Sequence, residues 1–161
     1  MEITGRVIKY GNNVNTDVII PSKYLVYTDP LALAAHAMEG LDPAFATKIA
    51  ARTIVVAGAN FGCGSSREQA PLALKHAGVH CVVADSFARI FYRNAVNIGL
   101  PVLECAGIGF TVQDGDALRV NLETGVVEDL SLGVRFTAIP VPAFILEIME
   151  KGLIEYLKAK K

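Results

Sequence analysis

The sequence of 161 residues contains no tryptophan, only three cysteines and only 19% charged residues, and its formal net charge is -1. Its lysines and arginines are dispersed rather than gathered into a basic face, so a nucleic-acid-binding surface is not supported. No apolar run approaches the roughly 18 to 20 residues that a membrane-spanning helix needs. The first six residues lack the apolar core of a secretory signal. We therefore expect a cytoplasmic protein.

Cysteines and histidines are too few and too widely spaced to predict a metal site. No Cys-x-x-Cys pair is present, although such pairs are typical of zinc, iron–sulfur and redox sites. A glycine separates the two closest histidines and should end any helix that carries them. We predict three free thiols and no metal bound by this chain. The sequence leaves open whether the thiol of Cys63 is inert or reactive. The residues concerned are Cys63, Cys81, Cys105, His36, His76 and His80.

Apolar residues are abundant. They make up 52% of the chain, and the mean hydropathy is +0.40. A chain of this length can bury a core as one domain, so we predict a single domain over residues 1–161. Because the composition is apolar for a protein of this size, we also expect part of the surface to meet a partner.

Apolar runs alternate with helix-forming segments through the middle of the chain. Residues 53–57 and 81–84 predict buried strands, and residues 67–77 and 87–98 predict the helices that follow them. Short β-α-β-α-β connections predict a parallel sheet flanked by helices, and residues 107–139 predict antiparallel hairpins. The expected fold class is therefore α/β. Two further strands are predicted, one from Ile3 onward and one at residues 101–103. Further helices are predicted at residues 31–39 and from Pro142 onward.

One stretch, Gly58 to Pro71, places glycines, hydroxyl groups and a cation between a predicted strand and a predicted helix. In that geometry backbone N–H groups gather around an anion. Ser66 and Gln69 fit a Ser-x-x-Gln capping box, which predicts that the helix begins at the serines. The stretch has no lysine for a P-loop, and Arg67 occupies the third glycine position of a dinucleotide fingerprint. It predicts a carboxylate or phosphate site, with an ordinary capped turn as the alternative.

Two segments nearer the N-terminus carry further candidate residues. Asp17, followed by apolar residues, is typical of a turn or helix cap, and an active-site carboxylate is the alternative interpretation. Tyr24, Leu25 and Val26 lie in an irregular segment, where packing of the two aliphatic residues in the core is the ordinary interpretation. These residues alone do not decide between the alternatives.

Residues 60–68 (NFGCGSSRE) and 15–21 (NTDVIIP) resemble the signature motifs of the mobile swivel domain of the aconitase superfamily. Over essentially its whole length, the short chain is similar to the small subunits of the isopropylmalate dehydratase family. The resemblance implies a swivelling β/β/α three-layer domain with a mostly parallel central sheet plus antiparallel hairpins. It also implies a hydro-lyase that is active only as a complex with a large subunit, which supplies a [4Fe–4S] cluster held on three cysteines.

The resemblance implies roles for individual residues. Ser65 matches the first serine of the motif and is the candidate base, which the site must stabilise as an alkoxide. Ser66 and Arg67 are expected to bind a substrate carboxylate, the arginine through a two-pronged pair. By the same resemblance, Asp17 is expected to be an active-site carboxylate that either contacts the substrate or holds a catalytic group.

The substrate expectation comes from the loop that contains Tyr24, Leu25 and Val26. In the resembling enzymes this loop receives the variable group of the malate, and relatives acting on tricarboxylic acids tend to place an arginine at the position of Val26. Valine offers only apolar contact, so the expected reaction converts 2-isopropylmalate to 3-isopropylmalate in leucine biosynthesis. Two alternatives stay open: a related hydro-lyase acting on citramalate or citraconate, dimethylmalate or homoaconitate, and a non-catalytic anion-binding α/β module.

Overall fold

The structure is a computed structural model that describes residues 1–161. Its strands are β1 (Glu2–Lys9), β2 (Thr53–Ala57), β3 (Val79–Ala84), β4 (Val102–Glu104), β5 (Ala117–Asn121), β6 (Val126–Asp129) and β7 (Val134–Thr137). Its helices are α1 (Thr16–Ile19), α2 (Pro30–Ala34), α3 (Phe45–Lys48), α4 (Gln69–Ala77), α5 (Arg89–Ile98), α6 (Ile108–Thr111), α7 (Ala143–Lys151) and α8 (Leu153–Ala159), with one 3-10 turn at Ser22–Tyr24. None of these helices has the length and apolarity needed to cross a membrane.

All seven strands join in one sheet, in the order β4-β3-β2-β1-β5-β6-β7. The pairs from β1 to β4 are parallel, and β1 pairs antiparallel with β5, which begins an antiparallel run through β6 to β7. The α/β class, with a parallel sheet plus antiparallel hairpins, is therefore confirmed. The hairpins extend the same sheet, and β1 is the strand where its two halves meet.

The parallel half of the sheet forms the centre of the core. All five residues of β2 are buried, and β3 is buried except at His80. A parallel strand covered by helices on both faces needs apolar side chains on both, which is why its sequence is an unbroken apolar run. Cys81 is buried as predicted, and burial raises the pKa of its thiol to about 12.

Helix α2 is shorter than the predicted helix at residues 31–39, because the chain continues after Ala34 in tight turns and two of its N–H groups bond to α1 instead. The Met38 N–H donates to the Ile19 carbonyl (2.7 Å), and the Gly40 N–H donates to the Val18 carbonyl (3.1 Å). A Cβ at Gly40 would lie 2.7 Å from the Val18 Cα, so only glycine permits this approach. The turn at residues 36–40 is thereby fixed to α1.

Candidate active site

The segment that connects β2 to α4, residues 58–68, is called the serine loop here, and it lies beside the segment that follows β1. Because β1 and β2 are parallel neighbours, the segments after them emerge at the same edge of the sheet. The Gly62 N–H donates to the Val14 carbonyl, and the Thr16 N–H donates to the Cys63 carbonyl, both at 2.8 Å. The Thr16 hydroxyl donates to the Ser65 carbonyl at 2.8 Å. These bonds fix the backbone at the candidate base.

Two glycines of the serine loop are required by close contacts and by their backbone conformation. Gly62 (φ +82) would place a Cβ 2.2 Å from a ring atom of Phe91, and Gly64 (φ +92) would place one 2.5 Å from Asn15 Oδ1. Both contacts are shorter than any side chain tolerates. The loop therefore packs against α5 on one side and against the segment before α1 on the other.

The serine loop presents unpaired backbone donors. None of the N–H groups of residues 64–68 donates a hydrogen bond within the protein. The predicted capping box is wrong: α4 begins at Gln69, its N-cap is Glu68, and no side chain caps it. The bonds from the serine loop to Val14 and Thr16 hold the serines outside the helix. The N–H groups near both serine hydroxyls are consequently free to meet an anion.

Asp17 and Arg67 lie together although they are 50 positions apart in the sequence. Arg67 Nη2 is 2.6 Å from Asp17 Oδ1, and Arg67 Nη1 donates to the Ile20 carbonyl at 3.1 Å. The Arg67 side chain is 14% exposed and the Asp17 side chain 56%. Asp17 therefore holds the guanidinium in place, and the remaining N–H groups of Arg67 can still bind a carboxylate.

A cavity of about 440 Å³ opens between the serine loop and α5. Arg89 and Arg93, one helical turn apart, line it from α5 and form no ion pair within the chain. Neither the Arg93 nor the Asn94 side chain is hydrogen-bonded to the serine loop. The excess of guanidinium groups makes the cavity favourable for an anion. The cavity is lined by Thr16, Gly62, Gly64, Ser65, Ser66, Arg67, Ala88, Arg89, Ile90, Phe91 and Arg93.

Tyr24, Leu25 and Val26 do not line this cavity. The Tyr24 hydroxyl donates to Glu39 Oε1 at 2.6 Å, and Leu25 packs half-buried against the core. Val26 is 78% exposed. Of the two aliphatic residues that could have packed in the core, only Leu25 does so. The structure thus brings Ser65, Ser66, Arg67 and Asp17 together and leaves the other three candidates on an adjacent loop.

The side chains of this chain do not fit an iron–sulfur cluster. No group of three histidine, cysteine or acidic side chains lies close enough to hold a metal ion. Burial raises the pKa of the Cys105 thiol to about 11, which disfavours the thiolate that such a cluster needs. Cys63, in the serine loop, is partly exposed.

Sequence reasoning missed the asparagines that hold the two segments together. Asn12 Oδ1 accepts from the Ala59 N–H at 2.8 Å, and Asn13 Oδ1 accepts from Asn60 Nδ2 at 3.1 Å. Asn15 Oδ1 accepts from an N–H in the first turn of α1. The preference of asparagine for helix N-caps and for positive φ, adopted by Asn13 and Asn60, was the available signal.

Comparison with known proteins agrees with this geometry. A family model described as the aconitase C-terminal domain matches residues 11–106, which include the serine loop, Asp17 and all of α5. A crystal structure of 3-isopropylmalate dehydratase from Methanocaldococcus jannaschii superposes with a TM-score of 0.93 at 42% identity, covering 99% of this chain and 95% of that one. The fold and the site therefore define a domain of the aconitase class.

Curated relatives match nearly the whole chain. The isopropylmalate/citramalate isomerase small subunit of Methanocaldococcus jannaschii is 57% identical over 159 residues, which are 98% of this chain and 95% of that protein. The 3-isopropylmalate dehydratase small subunit of Pyrobaculum calidifontis is also 57% identical over 159 residues, 98% of each chain. This chain belongs to the aconitase superfamily and, within it, to the family of 3-isopropylmalate dehydratase small subunits.

The packing of the serine loop against α5 can be tested with two glycine substitutions that share a backbone conformation. Gly62→Ala should lower the free energy of unfolding by about 3 kcal/mol or more, because positive φ and a clash with Phe91 act together. Gly107→Ala, at φ +85 with nothing within 4 Å of the added Cβ, should cost only about 1 kcal/mol. Urea unfolding measures both. Equal losses would contradict the close packing at Gly62.

Proposed function

We propose that this chain, as a single 161-residue domain, is the small subunit of a 3-isopropylmalate dehydratase. With a large subunit it interconverts 2-isopropylmalate and 3-isopropylmalate by dehydration and rehydration, a hydro-lyase reaction of leucine biosynthesis. The cytoplasmic location expected from the sequence is part of the proposal. The names of the relatives at 57% identity over nearly the full length support the activity.

The observation that carries the proposal is the arrangement of donors around Ser65. Ser65 and Ser66 border the cavity within a run of unpaired backbone N–H groups, residues 64–68. Arg67 borders the same cavity and is oriented by Asp17. A dicarboxylic acid needs such donors, because each carboxylate must be matched by N–H groups or cations when it leaves water.

In this proposal the residues of the chain carry the proton and hold the substrate. Ser65 removes the proton from the carbon beside a carboxylate and returns it to the neighbouring carbon when water adds in the opposite sense. A serine hydroxyl is a weak acid, so the alkoxide must be stabilised by the unpaired N–H groups and the nearby guanidinium groups. Arg67 and Ser66 hold the substrate carboxylate, which fixes the carbon acid against Ser65.

Loss of hydroxide needs a Lewis acid, and no side-chain set in this chain fits one. We place a [4Fe–4S] cluster on the large partner subunit, which would meet the cavity between the serine loop and α5. The small subunit then supplies the base and the groups that bind the substrate carboxylate, and the complete site forms only in the complex. This accounts for an anion-binding cavity that is open at the surface rather than enclosed.

A second candidate substrate has specific support. The Methanocaldococcus jannaschii relative is named for both isopropylmalate and citramalate, and these acids differ in the size of an apolar group that Val26 would meet. The apolar side chain of Val26 does not distinguish these two acids. It does argue against homoaconitate, which carries a further carboxylate where the others carry the apolar group. The non-catalytic anion-binding module is the outcome to accept if no cluster-bearing partner restores turnover.

Ser65→Ala tests the assigned base. In the complex with an anaerobically reconstituted large subunit, this variant should lower kcat on isopropylmalate by roughly 10²- to 10⁴-fold, because the base is lost while the backbone donors remain. Each subunit alone should be inactive. Ser66→Ala, which leaves its N–H group in place, should raise KM more than it lowers kcat. Nearly intact turnover by Ser65→Ala would show that the base is another group.

Asp17→Asn tests the orientation of Arg67. The amide keeps the shape of the side chain but loses the charge that pairs with the guanidinium, so kcat/KM should fall roughly ten- to hundredfold through misplacement of the substrate carboxylate. Asp42→Asn is the matched control, because Asp42 pairs with Lys48 at 2.9 Å and lies outside the lining of the cavity. Steady-state kinetics on isopropylmalate distinguish them, and equal effects would refute a specific role of Asp17.

Val26→Arg tests the substrate argument. An arginine at this exposed position can pair with a third carboxylate, so the ratio of kcat/KM for homoaconitate to that for isopropylmalate should rise about tenfold or more. Val26→Ala should lower kcat/KM for isopropylmalate without any gain on homoaconitate. An unchanged ratio in Val26→Arg would remove Val26 as a determinant of the substrate.

A further inference from the structure

Three side chains outside the cavity form a compact polar cluster, called the loop clamp here: Tyr24, His36 and Glu39. Both carboxylate oxygens of Glu39 are used, since Oε1 accepts from the Tyr24 hydroxyl at 2.6 Å and Oε2 accepts from His36 Nδ1 at 2.6 Å. The rings of Tyr24 and His36 are stacked with centroids 3.7 Å apart and planes 6° from parallel. The phenol ring is thus held by its hydroxyl and by its face.

The clamp provides the hydrogen bond that joins the loop at residues 21–28 to the rest of the protein. Within this loop the backbone N–H groups of Tyr24, Leu25 and Tyr27 donate only to carbonyls of the loop itself. The bond from Tyr24 to Glu39 is the one hydrogen bond that leaves the loop. Leu25 packs half-buried against the core, whereas Val26 is largely exposed. The hydrogen bond of Tyr24 is therefore the directional contact that orients the part of the loop that carries Val26.

The other end of the clamp is tied to the site. Glu39 lies between Met38 and Gly40, whose N–H groups donate to the Ile19 and Val18 carbonyls of α1. The next carbonyl, that of Ile20, accepts from Arg67. One stretch of backbone therefore supports both the arginine that would hold the substrate carboxylate and the residue that anchors the loop.

The ionisation states of Tyr24 and Glu39 at neutral pH favour the clamp. The hydrogen bond from Tyr24, and then that from His36, lower the pKa of Glu39. The same bond to Glu39 raises the pKa of Tyr24. An ionised carboxylate and a neutral phenol are the forms that make this hydrogen bond strong.

We propose that Glu39 and His36 are positioning residues for substrate selectivity, which hold Tyr24 so that the exposed Val26 meets the variable group of the malate at a fixed distance from Arg67. This inference rests on the proposed function. A larger apolar group gains more from a well-placed contact than a smaller one does. Loosening the clamp therefore penalises isopropylmalate more than citramalate, whose variable group is a methyl.

The test is the selectivity ratio, kcat/KM for isopropylmalate divided by kcat/KM for citramalate, measured on the assembled complex. Tyr24→Phe keeps the ring stack but removes the hydroxyl, and Glu39→Ala removes the acceptor. Each should lower the ratio roughly three- to tenfold, the range expected for loss of one hydrogen bond. The double variant should show no larger effect than Glu39→Ala alone, because that change already removes the acceptor of the Tyr24 hydroxyl. Glu39→Gln, which keeps an acceptor oxygen for Tyr24, should restore most of the ratio.

Tyr10→Phe is the matched control, since the Tyr10 hydroxyl donates to Asp42 Oδ2 at 2.8 Å in the same kind of phenol–carboxylate bond away from the loop. It should leave the selectivity ratio within twofold of wild type. An unchanged ratio in Tyr24→Phe and Glu39→Ala, or an equal change in Tyr10→Phe, overturns the clamp while wild-type turnover keeps the proposed function. If the wild-type complex turns over neither acid, the proposed function fails and the role of the clamp fails with it.

Discussion

The arrangement of the site depends on backbone pairing between two segments that leave parallel neighbouring strands. Two hydrogen bonds, from Gly62 to Val14 and from Thr16 to Cys63, hold these segments side by side beyond the ends of β1 and β2. The pairing uses the first part of the serine loop and stops before the serines. The following N–H groups are left without partners at the surface, where solvent or a bound anion must satisfy them. The pairing of the two segments thus leaves a run of unpaired N–H groups directly after it, at the place proposed for the anion.

Charge in the cavity follows from that placement. Arg67 is mostly buried and takes Asp17 as its partner, a pair that is exposed on the carboxylate side and hence contributes orientation more than stability. Arg89 and Arg93 add two cations without acidic partners on the same cavity wall. An excess of cations beside free N–H groups favours a doubly charged acid over a neutral ligand.

Sequence reasoning succeeded where one physical cause dominates the local pattern. Strand β2 was predicted with the observed bounds, because burial on both faces demands a continuous apolar run. It failed where long-range hydrogen bonds outweighed local preference: Ser66 does not cap α4, since the loop is held by Val14 and Thr16, and α2 ends early, since Met38 bonds to Ile19. The family motifs identified Asp17 and Arg67, but only the structure shows that they form a pair.

The structure separates the part of the site that carries the proposed chemistry from the part that would choose the substrate. The serine loop is fixed at the sheet edge by backbone bonds and by close contacts at Gly62 and Gly64, so few substitutions there are compatible with the fold. The loop that carries Val26 is joined to the rest by one hydrogen bond, from Tyr24 to Glu39, and by the packing of Leu25 against the core. A loop with so few ties can change its contact residues at small cost to the core. A protein built in this way can accept a different malate as substrate without any change at the proposed base.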